Sequence, residues 1–387
     1  MEKNILAKIL LKKIKKSIKR KLEDLHSPDL NNNDIKSINS AIKNNYVSTY
    51  GPYRNIFEQK IKKLTKAKYV LAVNSGTTAL QLAIKVMNLP KGSEVLMPSL
   101  TFAASANAVI YNDLSPHFVD TESKNFGISF EALESYIKKN MLFKKKKLFN
   151  KKSKKYITAI MPVHLFGHSV ECKKLLKIAN KYNLRIIEDA AEALGTKFRG
   201  KHVGLFGDIG CLSFNGNKII TTGAGGAIIT NNKKLYQKAY HLANIAKKKS
   251  AIDLVHDDIG YNFLMPNLNA SLGISQINRI HYFIKNKREL FNKYNESFKN
   301  DKYFKIYKDQ KFEKSNYWLQ TLRIHKDKKV FKNYFLAYLK KNNIGCRPVW
   351  KCLHMTKPYK NFPRMKLKNS LNHYETIVNL PSSYGIF

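Results

Sequence analysis

Short apolar runs alternate with amphipathic stretches through most of the chain. The apolar runs occupy residues 69–73, 94–97, 117–120, 156–163, 184–187 and 210–214. Stretches whose apolar residues recur every three or four positions follow several of these runs, at 74–87, 104–113, 128–140 and 170–183. Because short apolar runs predict strands and the 3.6-residue period predicts helices, strand and helix alternate along the chain. This alternation favours an α/β fold with a mainly parallel sheet and helices on both faces.

The last third of the chain departs from this alternation. A long helix is predicted over 284–298, an alternating strand over 317–325, a helix ending near Tyr338 and a short strand over 345–350. This mixture predicts a smaller α+β domain. The predicted division is a basic amphipathic N-terminal extension over 1–30, a large domain over 31–275 and a small C-terminal domain over 276–387.

Two lysine-rich segments lie outside the regular alternation. The N-terminal arm, ILAKILLKKIKKSIKRKL, has apolar residues at near-helical spacing opposite its lysines, namely Ile5, Ile9, Leu10, Ile14, Ile18 and Leu22. This pattern is typical of a helix that lies on a membrane surface and equally of a helix docked on the protein body. We expect a chain that begins after Lys21 to keep its activity. Residues 143–155 are predicted to form a solvated surface loop without a function.

Composition narrows the class of protein. The chain has 387 residues, 43% of them hydrophobic, which is enough for two globular domains with cores of their own. The formal net charge of +43 could serve nucleic-acid binding, but the lysines are spread throughout, and no nucleic-acid-binding motif accompanies them. The four cysteines have no CxxC spacing, so the sequence suggests neither a zinc site nor a disulfide framework. Free cysteines fit a reducing cytoplasm. No apolar stretch is long enough to span a membrane, and the arm is no signal peptide.

An acid and a lysine close two of the apolar runs. Asp189 ends the run at 184–187, and Lys218 follows the run at 210–214. If both runs are parallel strands, their carboxyl ends open on one crevice, and Glu188 points away from it because side chains alternate along a strand. This pair suits pyridoxal phosphate, in which a lysine forms a Schiff base and a carboxylate keeps the pyridine nitrogen protonated. The alternative is a solvated lysine and an aspartate that caps a helix.

A second candidate site follows the first strand. The stretch NSGTTAL turns from a predicted strand directly into a helix, where free amides and hydroxyls can hold an anion such as a phosphate. A plain Ser75 helix cap is the alternative, although it makes no use of Gly76, where a backbone can approach a ligand closely. Phe102 stands where a strand gives way to a helix, so it can stack on an aromatic cofactor or be an ordinary core residue.

With these residues in place, the chain resembles the pyridoxal-phosphate-dependent sugar aminotransferases of the DegT/DnrJ/EryC1/StrS family. The motifs that carry the resemblance recur in order: NSGTTAL, PSLTFAASANA, PVHLFGH, IEDAAEALG, SFNGNK, TTGAGG, GYNFLMPNLNA and NLPSS. The resemblance runs over about 46–383, omits the basic arm and need not include 144–155. It implies the aspartate aminotransferase-like type I fold and a homodimer whose sites lie between the subunits.

The resemblance also assigns roles to residues. Lys218 takes the catalytic place and Asp189 that of the partner of the pyridine nitrogen. The other implied cofactor contacts are Gly76, Thr77 and Ser213 at the phosphate with Thr78 beside them, Phe102 on the ring, Glu192 where the family often has Gln or His, and Asn262 reaching the phosphate of the neighbouring subunit. Ala224 replaces the more usual Glu of the TTGEGG version. His164 could contact the ring or the sugar, or be a core histidine.

The branch of the family sets the expected substrate. The stretches SFNGNKIITTGAGG, SNYWLQ and RPVWKCLH look closest to enzymes that aminate C4 of a UDP-linked 4-keto-6-deoxy-N-acetylhexosamine with glutamate as the donor, in bacillosamine and legionaminic-type pathways. The alternative is a GDP-perosamine synthase acting on GDP-4-keto-6-deoxymannose. The family's sugar 3-dehydratases carry His where Lys218 stands, so the lysine argues against them. A non-catalytic basic binding protein would leave Asp189 and Lys218 unexplained.

Overall fold

The computed structural model describes residues 1–19, 24–248, 253 and 255–387. The helices are α1 Glu2–Ser17, α2 Asn32–Lys43, α3 Tyr53–Thr65, α4 Gly76–Val86, α5 Ala103–Ile110, α6 Phe130–Asn140, α7 Cys172–Tyr182, α8 Lys233–Ala243, α9 Asn267–Asn278, α10 Ile280–Phe298, α11 Lys332–Lys341 and α12 Lys368–Thr376. The strands of the first half are β1 Tyr69–Val73, β2 Glu94–Pro98, β3 Ser115–Val119, β4 Met141–Lys144, β5 Lys147–Asn150, β6 Tyr156–Ile160 and β7 Arg185–Asp189. Those that follow are β8 Lys197–Phe198, β9 Lys201–His202, β10 Ile209–Ser213, β11 Gly226–Thr230, β12 Phe304–Ile306, β13 Glu313–Lys314, β14 Gln320–Ile324, β15 Arg347–Pro348 and β16 Ile377–Leu380.

The main sheet has the order β1-β11-β10-β7-β6-β2-β3. From β10 to β3 every neighbouring pair is parallel, which confirms the predicted α/β class with a mainly parallel sheet. Strand β11 is antiparallel to both of its neighbours, β1 and β10. The connection from β10 to β11 contains no helix, whereas a parallel return usually uses a crossover helix.

Both faces of this sheet are buried. On β1, Val70 and Ala72 belong to one apolar core, whereas Leu71 and Val73 belong to the core on the opposite face. Because successive side chains of a strand point to opposite faces, a strand with helices on both sides is mostly apolar on both faces. This requirement explains why the apolar runs of the sequence are continuous and do not alternate.

A separate antiparallel sheet forms in the C-terminal part, with the order β12-β14-β16-β15. Helices α10 and α11 pack on it and close a third apolar core, so this part has the predicted α+β character. The exact division of the chain at 30 and 275 stays a prediction.

The N-terminal arm is a docked helix. The apolar face of α1 packs against α10 and α11, with Leu10 and Ile14 among the most deeply buried residues. Ile5 and Ile9, expected on that face, are exposed, and Leu6 and Leu11 are buried in their place. Leu22, with the rest of 20–23, lies outside the described residues. Of the two interpretations of the arm, the structure favours the docked helix. The expectation that a chain beginning after Lys21 keeps its activity stays a prediction.

The lysine-rich segment is only in part the predicted loop, since residues 151–155 lie outside the helices and strands but most of the residues before them do not. Residues 141–150 form a β-hairpin of β4 and β5, and β5 pairs with the start of β6. Met141 and Leu148 are buried under the hairpin. Strand β5 has the alternating burial of a half-buried strand, whereas the residues of β4 after Met141 are exposed. The high lysine content hides this alternation in the sequence. Within the described part of the chain, no helix is long and apolar enough to cross a membrane.

Replacement of Ile14 by Ala tests the docking of the arm. Ile14 is fully buried, so the substitution removes apolar contacts and leaves a cavity. We expect Ile14→Ala to lower the free energy of unfolding by about 2–5 kcal/mol, measured by denaturant unfolding.

Lys12→Ala, on the exposed side of the same helix, is the matched control. Its effect should stay within about 0.5 kcal/mol, the usual range for surface substitutions. Equal stability of the two variants would show that the arm does not pack on the body.

Candidate active site

Asp189 stands at the carboxyl end of β7, in the strand pair that builds the site. Strands β7 and β10 are parallel, with Asp189 opposite Cys211. The Asp189 carboxylate accepts a hydrogen bond from Ser105 Oγ at 2.7 Å and another from the Ala191 amide at 3.1 Å. Residues 190–196 form turns and no helix, so the carboxylate is not the helix cap that the sequence allowed as an alternative. Two donors fix its orientation within the site.

Lys218 follows β10 by a tight turn and points its amine into the same site. Its Nζ lies 3.4 Å from Glu192 Oε1 and 3.9 Å from the centre of the Trp318 ring. The Trp318 indole also donates a hydrogen bond to the Asn217 carbonyl at 2.6 Å, which anchors the turn just before the lysine. The side chain of Lys218 is only 14% exposed. The amine is therefore held between a carboxylate and an indole ring.

A cavity of about 350 Å³ joins these groups. It is lined by Ser75, Gly76, Thr77, Leu80, Thr101, Phe102, Ala104, Ser105, Val163, Asp189, Ala191, Glu192, Ser213, Asn215, Asn217, Lys218, Ala224, Gly225, Trp318 and Trp350. Seven of the predicted site residues are in this set. Thr78, Asn262 and His164 are not.

The start of α4 forms one end of the cavity. Ser75 is the N-cap, and its hydroxyl accepts a hydrogen bond from the Thr78 amide at 3.0 Å. The amides of Gly76 and Thr77 belong to the same first turn, which has no acceptors within the helix. A Cβ on Gly76 would lie 2.8 Å from the Cβ of Ser213, so glycine lets the helix start and the end of β10 come together. Amides and hydroxyls thus meet at a helix N-terminus, as an anion site requires.

Thr78 supports this end of the cavity from behind. Its hydroxyl donates to Asn74 Oδ1 at 2.8 Å and is the acceptor for the Ser75 amide at 3.1 Å. The contact with the Ser75 amide belongs to the reciprocal cap of α4, and the bond to Asn74 ties this cap to the end of β1. The structure therefore places Thr78 where it stabilises the helix start, without a surface on the cavity.

Three aromatic residues, Phe102, Trp318 and Trp350, also line the cavity. Phe102 is 56% exposed, so it is not the core residue that the sequence left open as an alternative, and its ring centre lies 5.7 Å from that of Trp350. Trp318 lies beside Lys218. Neither tryptophan was assigned a role from the sequence, although SNYW and RPVW both contributed to the resemblance. An aromatic residue without a periodic pattern gives no signal that it faces a site.

Glu192 lies buried beside the lysine. One carboxylate oxygen accepts the Phe166 amide at 2.7 Å, and the other faces Lys218. Burial raises the pKa of Glu192, while Lys218 and the Phe166 amide oppose the shift. One oxygen of Glu192 is thus fixed by a backbone amide, and the other contacts the amine of Lys218.

His164 is a core histidine and not a substrate contact. Its ring is fully buried, with Nε2 3.0 Å from Glu188 and Nδ1 accepting the Val170 amide at 3.3 Å. Glu188 lies on the opposite face of β7 from Asp189, as strand alternation predicts, and accepts the Gly204 and Gly207 amides. The histidine therefore belongs to the packing behind the sheet.

Asn262 lies outside the cavity of its own chain. Its side chain is exposed, and its carbonyl accepts a hydrogen bond from Asn74 Nδ2 at 3.3 Å, next to the start of α4. Its role in the neighbouring subunit stays a prediction.

The donor set of the cavity fits pyridoxal phosphate. An amine and a carboxylate reach it from adjacent strand ends, amides and hydroxyls line one end, and an exposed phenylalanine lies on the wall. These are the groups that this cofactor needs at its aldehyde, its pyridine nitrogen, its phosphate and its ring. Lys218, Asp189, Gly76, Ser213 and Phe102 would hold it.

Comparison with known proteins gives matches over nearly the whole chain. The model of the DegT/DnrJ/EryC1/StrS aminotransferase family matches residues 28–386. GDP-perosamine synthase of Escherichia coli O157:H7 is 33% identical over 339 residues, which cover 87% of this chain and 86% of that protein. A UDP-4-amino-4,6-dideoxy-N-acetyl-beta-L-altrosamine transaminase of Campylobacter jejuni is 29% identical over 358 residues, covering 91% and 90%.

A solved structure agrees with these matches. Helicobacter pylori PseC, described as an aminotransferase involved in the biosynthesis of pseudoaminic acid, superposes with a TM-score of 0.83 at 25% identity. The superposition covers 92% of each chain. The resemblance drawn from the motifs, the fold class and the pyridoxal phosphate cofactor are confirmed.

Replacement of Glu192 by Gln should remove a pH-dependent loss of stability. A carboxyl whose pKa is raised on folding stabilises the protein fully below its ordinary pKa of 4.5, and this contribution is lost as pH rises through the raised pKa. Without its cofactor, Glu192→Gln should therefore gain stability relative to the native protein as pH rises. The unfolding midpoint in denaturant, taken at a series of pH values, measures the difference.

Glu289→Gln on α10, where the carboxylate is 46% exposed, is the control. Its stability should follow the native pH profile. A difference between Glu192→Gln and the native protein that stays constant across the series would contradict a pKa raised by burial.

Proposed function

The chain belongs to the DegT/DnrJ/EryC1/StrS aminotransferase family, and we propose that it transfers an amino group from glutamate to C4 of a UDP-linked 4-keto-6-deoxy-N-acetylhexosamine. It is a sugar aminotransferase whose cofactor is pyridoxal phosphate. The observation that supports the aminotransferase reaction is the meeting of Lys218 and Asp189 in one cavity with the start of α4.

Asp189 supplies a fixed negative charge. When bound, pyridoxal phosphate supplies a pyridine ring that accepts the electron pair released at the substrate carbon. The carboxylate holds a proton on the nitrogen of that ring, because a nearby negative charge favours the protonated form. Ser105 and the Ala191 amide keep the carboxylate in place, so its charge needs no reorientation during the reaction.

Lys218 is the base of the reaction. Its amine would take a proton from the carbon of glutamate that carries the nitrogen, and in the second half of the transfer it would give a proton to C4 of the sugar. Glu192 and Trp318 restrict where the amine can move, since they contact it from two sides. The same lysine then works in both halves of the transfer, first on glutamate and then on the keto-sugar.

Membership of the family does not by itself identify the nucleotide sugar. Relatives with the GDP-perosamine name and relatives with the UDP-altrosamine name both cover most of the chain. The motifs SFNGNKIITTGAGG, SNYW and RPVW support the UDP-linked sugar and a place in bacillosamine or legionaminic-type synthesis. GDP-4-keto-6-deoxymannose is the alternative substrate. A nucleotide diphosphate carries negative charge in either case, so the basic chain does not distinguish them.

The proposal includes a cytoplasmic homodimer. All four cysteines of the chain are free thiols, and three of them are buried, which suits a reducing compartment. Asn262 lies exposed beside the start of α4. In the homodimer, the Asn262 side chain of one subunit would reach the phosphate end of the cavity in the other subunit. Each site would then contain residues of both subunits.

Mixing two impaired variants tests the lysine and the shared site together. Lys218→Ala should lower turnover by on the order of 10²–10⁴-fold, the usual contribution of a general base. Asn262→Ala should weaken cofactor binding. In a heterodimer of the two, one site has native Lys218 and native Asn262, so activity should return after subunit exchange.

Each variant alone is the control, together with Lys234→Ala on the surface of α8, which should stay active and yellow. Lys218→Ala should lack the yellow colour of the covalently held cofactor. Failure of activity to return after exchange is verified by mass would favour sites built by one chain.

A panel of nucleotide sugars tests the substrate. With glutamate as the donor, the UDP-linked 4-keto-6-deoxy-N-acetylhexosamine should give a product with an amine at C4, identified by mass spectrometry. The GDP-linked 4-keto-6-deoxymannose and a dTDP-linked 4-keto-sugar should react much more slowly. Preference for the GDP-linked sugar would overturn the substrate assignment and leave the aminotransferase reaction intact.

A further inference from the structure

The β4–β5 hairpin lies at the end of the main sheet opposite the active site. Strand β5 pairs with Tyr156 and Ile157, the first residues of β6. The cavity begins beyond the last residue of β6, where Val163 lines it. Because parallel strands run from one edge of the sheet to the other, the hairpin and the cavity are separated by the length of β6. Nothing that we ascribe to the aminotransferase reaction uses the hairpin.

One face of the hairpin carries an uncovered apolar row, which we call the hairpin ladder. It consists of Leu142, Phe149 and Tyr156, which are direct cross-strand neighbours on β4, β5 and β6. Direct neighbours of antiparallel strands share a face. Leu142 is 53% exposed and Tyr156 is 45% exposed. A shallow groove of about 450 Å³ runs along the ladder.

Lysines surround this row. Residues 141–155 contain eight lysines and no acidic residue. Lys144, Lys145 and Lys147 line the groove with the ladder. Among the ion pairs of the described residues, none involves a lysine of 141–155. The charge of the hairpin is therefore free to meet an external partner.

The two residues of the hairpin turn are lysines in a backbone conformation that disfavours them. Lys145 and Lys146 both have positive φ, 51° and 58°. Two-residue hairpin turns of this kind favour Asn and Gly, because other residues are strained there. Lys145 and Lys146 thus place two positive charges at the tip of the hairpin, where Asn-Gly would be less strained.

We propose that the hairpin ladder docks on an anionic lipid membrane. Apolar side chains at the centre of a basic patch enter the headgroup region, while lysines reach the lipid phosphates with their long stems. The arm cannot provide this contact in the same way, because the apolar face of α1 is already packed on the body. Docking by the hairpin would leave the cavity, at the other end of β6, open to solvent.

Two other occupants fit the ladder less well. A second copy of the chain would bring lysine against lysine, which repels. Single-stranded nucleic acid stacks its bases on open aromatic faces. Here the rings of Phe149 and Tyr156 pack edge to face at 5.5 Å, and Lys147 Nζ lies 5.3 Å from the centre of the Tyr156 ring. The ladder therefore offers an apolar surface without a free stacking platform.

Vesicle sedimentation with the full, cofactor-loaded chain tests the proposal. The protein should bind vesicles made of equal parts of phosphatidylcholine and phosphatidylglycerol, and should not bind phosphatidylcholine alone. Each lysine near an anionic surface contributes about fivefold to partitioning, so removal of three should weaken binding by roughly a hundredfold. The variants are a hairpin-charge variant (Lys144→Gln, Lys145→Gln, Lys147→Gln), a ladder variant (Leu142→Ser, Tyr156→Ser) and an arm-charge variant (Lys8→Gln, Lys12→Gln, Lys15→Gln).

The arm-charge variant is the matched control, since it loses the same charge from exposed positions of α1. It should bind nearly as the native protein does, while the ladder variant should bind at least about tenfold more weakly. Aminotransferase activity should be unchanged in all three variants, so this test can fail while the proposed function stands. If the ladder variant does not fold, the two charge variants still decide.

Four outcomes would overturn the proposal. The first is no binding to the anionic vesicles, and the second is an equal loss of binding in the hairpin-charge and arm-charge variants. The third is tighter binding of a single-stranded RNA oligonucleotide than of vesicles at the same ionic strength. The fourth is a vesicle-free assembly of the native protein that the ladder variant disrupts, which would assign the ladder to a second copy.

Discussion

The parallel pairing of β7 with β10 is the constraint on which the rest of the site depends. Their register sets Asp189 beside Cys211, so both strands end at the same edge of the sheet. The turn after β10 then returns Lys218 to the cavity that Asp189 faces. If either strand were reversed, one of the two groups would lie at the far edge, a full strand length away. Asp189 and Lys218 thus reach one cavity only because the connection between β7 and β10 keeps the two strands parallel.

Two consecutive acids of β7, Glu188 and Asp189, face opposite sides of the sheet. Asp189 faces the cavity, while Glu188 is completely buried on the other face, against His164 and the Gly204 and Gly207 amides. A buried carboxylate must be paired, because its desolvation is costly. By accepting two amides of the segment before β10, Glu188 fixes how that strand approaches β7. The acid behind the sheet therefore helps to position the one that faces the cavity.

The surroundings of the lysines differ between the N-terminal helix and the β4–β5 hairpin. On α1, lysines lie opposite an apolar face that α10 and α11 cover, so the charge is the solvated side of a docked helix. On the β4–β5 hairpin, lysines border a row of apolar side chains that nothing in the described chain covers. Both segments look similarly basic in the sequence. Only the exposure of the neighbouring apolar residues separates them.

The sequence by itself determined the parts of this protein that depend on near neighbours. The apolar runs predicted the strands, the cap at Ser75 predicted the start of α4, and the ends of two runs singled out Asp189 and Lys218, because period and turn chemistry are local. Tertiary structure decided the rest. Trp318 lies about a hundred positions from the lysine that it contacts, and His164 is placed behind the sheet by Glu188. Contacts between distant parts of the chain leave no periodic trace, so only the folded chain could show them.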